Sequence, residues 1–266
     1  MTNPTGKPLA VVTGASSGIG YELAKQFAQH GFDLVVAAED DDISRAARDF
    51  EALGATVEAV QTDLASYDGV ERLCRQATSN GRSIDALAIN AGIGVHGEFA
   101  STNLDDELRL IDLNVRSAVH LAKRGVQDMV GRGEGRILFT SSIAATQPGP
   151  FEAAYAASKS FLLSFSEALR NELKGTGITV TALMPGPTDT EFFERAGMQD
   201  TRVGAGKKDD AAEVARHGFE ALMKGKDHVV AGSVKNRVLA GASKLTPETV
   251  KAQMHRKMAE PGSGKD

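Results

Sequence analysis

The chain has 266 residues, 24% of them charged and 41% hydrophobic, with a formal net charge of −5. That is ordinary composition for one globular α/β domain, and the acidic balance argues against nucleic-acid binding. Cys74 is the sole cysteine, which excludes an intrachain disulfide, and no apolar run approaches the ~20 residues of a membrane span. The start, MTNPTGKPLAVVTG, lacks a basic-then-apolar secretory pattern, so a cytoplasmic protein without membrane partners is expected.

Residues 7–13 are a short apolar run, Pro-Leu-Ala-Val-Val before Thr13, that reads as a buried strand. The turn Thr13-Gly-Ala-Ser-Ser-Gly-Ile-Gly20 follows. Ile19, Leu23 and Phe27 then space a helix up to His30, with Gly31 as its stop. Strand, glycine turn and helix are the setting for a dinucleotide. Gly14 permits the tight turn. Gly18 and Gly20 leave room for a pyrophosphate and for close helix packing, and the helix N-terminus offers N–H groups and a positive dipole end. Thr13 and Ser16 or Ser17 add hydroxyl donors. The candidate cofactor positions here are Gly14, Ser16, Ser17, Gly18, Ile19 and Gly20. The spacing is G-x-x-x-G-x-G, not G-x-G-x-x-G.

Residues 33–38 are a second buried strand. The acidic run Glu39-Asp-Asp-Asp42 comes about twenty residues after the last turn glycine, where a carboxylate accepts from the adenosine ribose of NAD. It would repel the 2′-phosphate of NADP. NAD is therefore expected, with Glu39 or Asp40 as ribose ligand and NADP as the alternative. The competing reading is a solvated acidic start to the next helix, and Arg45 and Arg48 are placed to swing towards a phosphate. Residues 43–53 are an amphipathic helix closed by Gly54. Residues 56–61 are a third strand ending Thr62-Asp63-Leu64. Ser66 caps a helix with Val70, Leu73 and Ala77 inward.

A fourth strand, residues 84–89, ends in Asn90-Ala91-Gly92. A glycine-rich loop, residues 93–102, faces the substrate, with His96 exposed in it. Residues 104–129 read as one long helix whose apolar stripe surrounds Asn114, an asparagine that is costly there unless hydrogen-bonded. Gly131, Gly133 and Gly135 break the chain before a fifth strand, residues 136–140. Ser142 lies just beyond its end. Residues 153–174 are helical, with Ala154, Phe161, Leu162, Phe165, Leu169 and Leu173 at helical spacing. On that helix Tyr155 and Lys159 share a face. An ammonium beside a phenol lowers a pKa of roughly 10 and lets the tyrosine exchange a proton with an alcohol or ketone near neutral pH. Taken alone, such a pair is more often a core tyrosine and a solvated lysine. A sixth strand, residues 179–184, ends in Pro185-Gly186. Thr188 and Thr190 precede a flap, residues 191–208, whose Phe192, Phe193 and Met198 suggest an apolar pocket wall. A helix over residues 210–224 and a strand over 228–231 complete a single domain, residues 1–232. Residues 233–266 read as an extension of irregular basic and apolar pattern, partly disordered, with EPGSGKD as a loose end.

A serine thirteen residues before the tyrosine, a lysine four after it and the strand-to-helix setting resemble the active-site segment of the short-chain dehydrogenase/reductase superfamily. The resemblance covers about residues 7–232. It implies a Rossmann-like doubly wound parallel sheet of about seven strands, order 3-2-1-4-5-6-7, with helices on both faces; the βαβ alternation points the same way. It also implies a tetrad: Ser142 orients the substrate oxygen, Tyr155 exchanges its proton, Lys159 lowers the tyrosine pKa and holds the nicotinamide ribose, and Asn114 anchors a proton relay. By the same resemblance Asp63 contacts adenine, with Leu64 beside it, and Asn90, Ala91 and Gly92 line the cofactor, although Ile89 replaces a first asparagine. Pro185 and Gly186 match the turn after the sixth strand, and Thr188 and Thr190 meet the nicotinamide carboxamide or the phosphates. No metal site is expected. The implied activity is NAD(P)-dependent hydride transfer with a small carbonyl or secondary alcohol, in a homodimer or homotetramer built on the two long helices. The alternatives are an epimerase or dehydratase on the same fold, or a nucleotide-sensing protein without turnover.

Overall fold

The computed structural model describes residues 6–79, 81–233 and 247–265. Seven strands pair in parallel: β1 (Leu9–Thr13), β2 (Asp33–Ala38), β3 (Val57–Gln61), β4 (Ala86–Ile89), β5 (Gly135–Thr140), β6 (Ile178–Pro185) and β7 (His228–Ala231). Their spatial order is 3-2-1-4-5-6-7, as the resemblance implies. The helices are α1 (Gly18–Gln29), α2 (Ile43–Glu51), α3 (Tyr67–Thr78), α4 (Leu104–Ile111), α5 (Ala118–Arg132), α6 (Ala153–Glu172), the short α7 (Phe192–Arg195) and α8 (Arg202–Ala205), α9 (Ala211–Met223) and α10 (Glu248–Ala259).

Successive strand residues point to opposite faces of a sheet. In β1, Ala10 and Val12 join one core with Leu23 and Phe27 of α1 and Phe219 of α9. Leu9 and Val11 join the other, with Leu73 of α3, Leu121 of α5 and Leu162 of α6. Covered on both faces, β1 and β2 are buried along their whole length, which is why they read as unbroken apolar runs. The chain winds from β1 out to β3, then returns to place β4 on the other side of β1. At such a reversal the loops after the two strands diverge and leave a crevice at their C-terminal ends.

Two elements differ from the sequence reading. The single helix expected over residues 104–129 is α4 and α5 joined by one π-helical turn, Asp112–Ser117, with Asn114 buried inside it. A π turn is a rare interruption found mostly at functional sites, and hydrophobic spacing carries no sign of it. The C-terminal stretch is the second difference. Residues 248–259 form α10, and residues 263–265, within the end expected to be loose, form a 3₁₀ turn. Asp200 ties that turn down, its carbonyl accepting from Gly264 N at 2.8 Å and its carboxylate from Gly262 N at 2.9 Å. The buried stripe of α10 is Lys251, His255 and Ala259. Two of the three are polar, so the helix buries a face that hydropathy cannot detect. The rest of the irregular stretch, residues 234–246, lies outside the described residues.

Candidate active site

The glycine turn is built by backbone geometry. Gly14 and Gly18 stand at φ of 66° and 57°, where a side chain is strained. A Cβ on Gly20 would lie 2.0 Å from the Gly14 carbonyl oxygen, so only glycine lets α1 approach β1. The Thr13 hydroxyl accepts from the N–H groups of Asn90 and Ala91 at 2.9 and 3.0 Å. Asn90 in turn donates to the Thr13 carbonyl and accepts from the Thr140 hydroxyl at 3.0 Å. The ends of β1, β4 and β5 are thereby pinned around one crevice. Gly14, Ser16, Ser17, Gly18, Ile19, Gly20, Glu39, Asp40, Asp63, Leu64, Asn90, Ala91, Gly92 and Thr190 line this cleft together. The cleft has a volume of about 220 Å3.

The acidic run does not act as one block. Asp40 accepts from the Ser16 hydroxyl at 3.0 Å through one oxygen, while its other oxygen is buried with no protein partner. Glu39 is tied to a neighbouring element, both of its oxygens accepting from Arg109 of α4 at 2.8 Å. The same guanidinium reaches Asp63 at 3.1 Å. Its hydrogen bond with Asp63, against some burial, raises the Arg109 pKa. Asp42 pairs with Arg45 at 3.3 Å within its own helix turn.

The tetrad positions converge at the inner end. The Ser142 hydroxyl accepts from Ala144 N at 3.1 Å and donates to the Pro185 carbonyl at 3.5 Å, and its nearness works to lower the Tyr155 phenol pKa. The Lys159 ammonium donates to the Thr140 carbonyl at 3.0 Å and lies 5.7 Å from the Tyr155 ring centre. The Asn114 side chain accepts from Ile93 N at 3.0 Å and donates to the Ile93 carbonyl at 2.9 Å and the Ser158 hydroxyl at 3.1 Å. Those bonds satisfy the buried amide and fix the loop entering the substrate region. A Cβ on Gly92 would sit 3.0 Å from Asn114 Oδ1 and 3.2 Å from Lys159 Nζ, so glycine is what lets the two meet.

The electrostatics run against the expected phenol shift. Burial pushes the Tyr155 phenol up, the Glu152 carboxylate adds to the rise, and the Ser142 hydrogen bond works the other way. Burial pulls the Lys159 ammonium down to about 8. At about 8 the buried lysine still carries its charge near pH 7, but burial outweighs its pull on the phenol, so the pair reads as a neutral phenol beside a cation and not as a phenolate.

Thr188, Pro185 and Gly186 sit beside the cleft and not in its lining. The Thr188 hydroxyl donates to the Gly186 carbonyl at 2.9 Å, which makes it a turn brace. Thr190 does line the cleft, its methyl 3.0 Å from where a Gly18 Cβ would be. Ile93, from the loop expected to face the substrate, and Phe192, expected as a pocket wall, also line it, as do Leu113 and Arg195, which carry no sequence signal for that role. Phe192 of α7 reaches over Gly94 and lies 5.2 Å, centre to centre, from Tyr155. A second set of contacts is made by α10, which packs against residues 146–152. Lys251 donates to the Thr146 carbonyl at 3.1 Å, and His255 lies 3.1 Å from both Glu152 and Gln147. Arg256 stacks 4.9 Å from the centre of Phe151, the only described non-glycine residue at positive φ, 68°. Such a backbone is strained and persists where neighbours hold it. No cluster of metal-ligating side chains occurs among the described residues.

The glycine cradle and the buried, unpartnered Asp40 oxygen fit a dinucleotide: one leaves room for phosphates, the other awaits a hydroxyl donor. The comparisons with known proteins agree. The family model described as short chain dehydrogenase matches residues 8–200. The 1-deoxy-11-beta-hydroxypentalenate dehydrogenase of Streptomyces exfoliatus is 37% identical over 218 residues, covering 80% of this chain and 78% of that protein. A short-chain dehydrogenase from Sphingobium yanoikuyae, solved in complex with NADPH, is 30% identical with a TM-score of 0.79 over 89% of this chain and 93% of its own. A short-chain dehydrogenase/reductase from Burkholderia phymatum, solved with NAD, is 26% identical with a TM-score of 0.82 over 93% and 95%.

Proposed function

This chain belongs to the short chain dehydrogenase family, and from that premise we propose how its own residues divide the work. It is a nicotinamide-dependent oxidoreductase that moves a hydride between the cofactor and a carbonyl or secondary alcohol carbon. The nicotinamide supplies the hydride chemistry when bound; everything else falls to the protein. Gly14, Gly18 and Gly20 with the N-terminus of α1 cradle the pyrophosphate, and Ser16, Ser17 and Ile19 complete that turn. Asp63 and Leu64 face the adenine, and Asn90, Ala91, Gly92 and Thr190 the remainder, with Pro185, Gly186 and Thr188 bracing from behind.

At the reacting end Ser142 hydrogen-bonds the substrate oxygen and Tyr155 gives or takes its proton. The single observation that carries this reading is the placement of buried Lys159, its ammonium 5.7 Å from the centre of the Tyr155 ring. Lys159 orders the nicotinamide ribose and offers its charge to the phenol. Asn114 anchors the relay by fixing its π turn. Tyr155→Phe removes turnover by about 10³-fold and leaves NADH affinity unchanged; retained turnover, measured by NADH oxidation against a panel of simple ketones, contradicts the proton role.

Cofactor choice rests on Asp40. Its unpartnered buried oxygen suits a ribose 2′-hydroxyl and opposes a 2′-phosphate, which supports NAD over NADP. Leu104 and Leu108 on α4 and Phe161 on α6 leave large apolar surface exposed, which supports a homo-oligomer built on those helices. A single half-buried, unbridged Cys74 suits a reducing cytoplasm.

A further inference from the structure

The carboxylates at the end of β2 are unequal in a way that bears on cofactor choice. Asp42 is bonded within its helix turn, and Glu39 is held on both oxygens by Arg109. Asp63, at the end of β3, is held by the same guanidinium. Asp40 alone faces the cleft with a buried oxygen that no protein group satisfies. Arg109 comes from α4, 70 residues away from Glu39 in sequence. Its planar fork is what allows one side chain to hold two carboxylates at once. The three side chains are 38%, 65% and 39% exposed for Arg109, Glu39 and Asp63, so the cluster sits at the mouth of the cleft. Exposed pairs of this kind contribute little to stability. What they do alter is local potential. Without the guanidinium, two further negative charges face the adenosine end of a cleft that already holds Asp40.

Resting on the reading of this cleft as a nicotinamide cofactor site, we propose that Arg109 is a cofactor-specificity residue: by holding Glu39 and Asp63 it leaves Asp40 as the one carboxylate that selects between a ribose 2′-hydroxyl and a 2′-phosphate. Discrimination between NAD and NADP is then set by the balance of Arg109 against Glu39, and not by the count of acidic residues after β2. A released Glu39 adds a second negative charge against the phosphate. A released Arg109 offers that phosphate a cation.

The test is direct binding of reduced cofactors, read by nicotinamide fluorescence in a chain that has no tryptophan. Kd is measured for NADH and for NADPH, with competition by 2′,5′-ADP against NADH where NADPH binds too weakly to follow. Arg109→Gln is expected to raise the ratio of the NADPH to the NADH Kd by about tenfold, and Glu39→Gln to lower it by a similar factor. The double variant Glu39→Gln/Arg109→Gln is expected to return the ratio to within about threefold of wild type. Arg109→Lys keeps the charge without the fork and should fall between wild type and Arg109→Gln. Equal changes in both affinities, leaving the ratio fixed in either single variant, would overturn the specificity role and leave Arg109 a surface brace. A folded wild-type chain that binds neither cofactor contradicts the underlying reading of the cleft, and this inference with it.

Discussion

The two halves of the active-site cleft are made differently. The cofactor half is made of backbone. Its shape comes from glycines at positive φ, strand ends pinned through Thr13 and Asn90, and a helix N-terminus. The substrate half is made of side-chain contacts between segments far apart in sequence. Phe192 crosses to Tyr155, and α10 reaches back through Lys251, His255 and Arg256 to residues 146–152. A backbone site tolerates almost no change at its glycines. A side-chain site can be retuned one contact at a time.

The largest expected effect lies in the first half. Gly20→Ala places a methyl on the Gly14 carbonyl, 2.0 Å away, and should destabilise the fold by about 3 kcal/mol or more while removing NADH binding. A calorimetric melt with wild-type midpoint would break the comparison. Lys159→Met should divide function from stability. The folded lysine, at about 8, titrates below the ordinary 10.4, so the unfolded chain binds more protons between those values and stability rises with pH across that window. At pH 7 the native state carries the full burden of a buried charge. The variant should therefore be more stable at pH 7 by about 2 kcal/mol after its lost bond to Thr140, with the gain shrinking towards pH 10. Denaturant melts at both pH values check the sign, and a variant less stable at pH 7 contradicts it.

Smaller effects belong to the substrate half. His255→Leu leaves Glu152 buried without its partner, at a cost of about 1–3 kcal/mol, and should raise KM for a ketone while NADH affinity stays at the wild-type value. A matching loss of NADH binding would mean the halves are not separable. Phe192→Ala should cost little stability and widen the range of ketones accepted, seen as changed ratios of kcat/KM across a substrate series.

The same contrast governs what could be read from the sequence. All seven strands and the glycine turn were legible, because buried strands and glycine turns leave local marks in composition and spacing, whereas the grouping of Ser142, Tyr155, Lys159 and Asn114 came from the family resemblance. The π turn around Asn114 was not, since helix continues on both sides of it and the apolar residues there still read as one helix. Arg109 was missed because its partners lie on other elements. The stripe of Lys251 and His255 on α10 hides a buried face behind polar residues. The direction of the Tyr155 shift was also misread. Helical spacing places Lys159 beside the phenol, but only the three-dimensional packing reveals that burial dominates both groups.

The central claim, that the glycine-lined cleft is a nicotinamide cofactor site working independently of the substrate wall, is tested most directly by titrating NADH into the folded wild-type chain and into His255→Leu. The account predicts saturable enhancement of nicotinamide fluorescence with the same Kd in both. No saturable binding to the folded wild-type protein would contradict it.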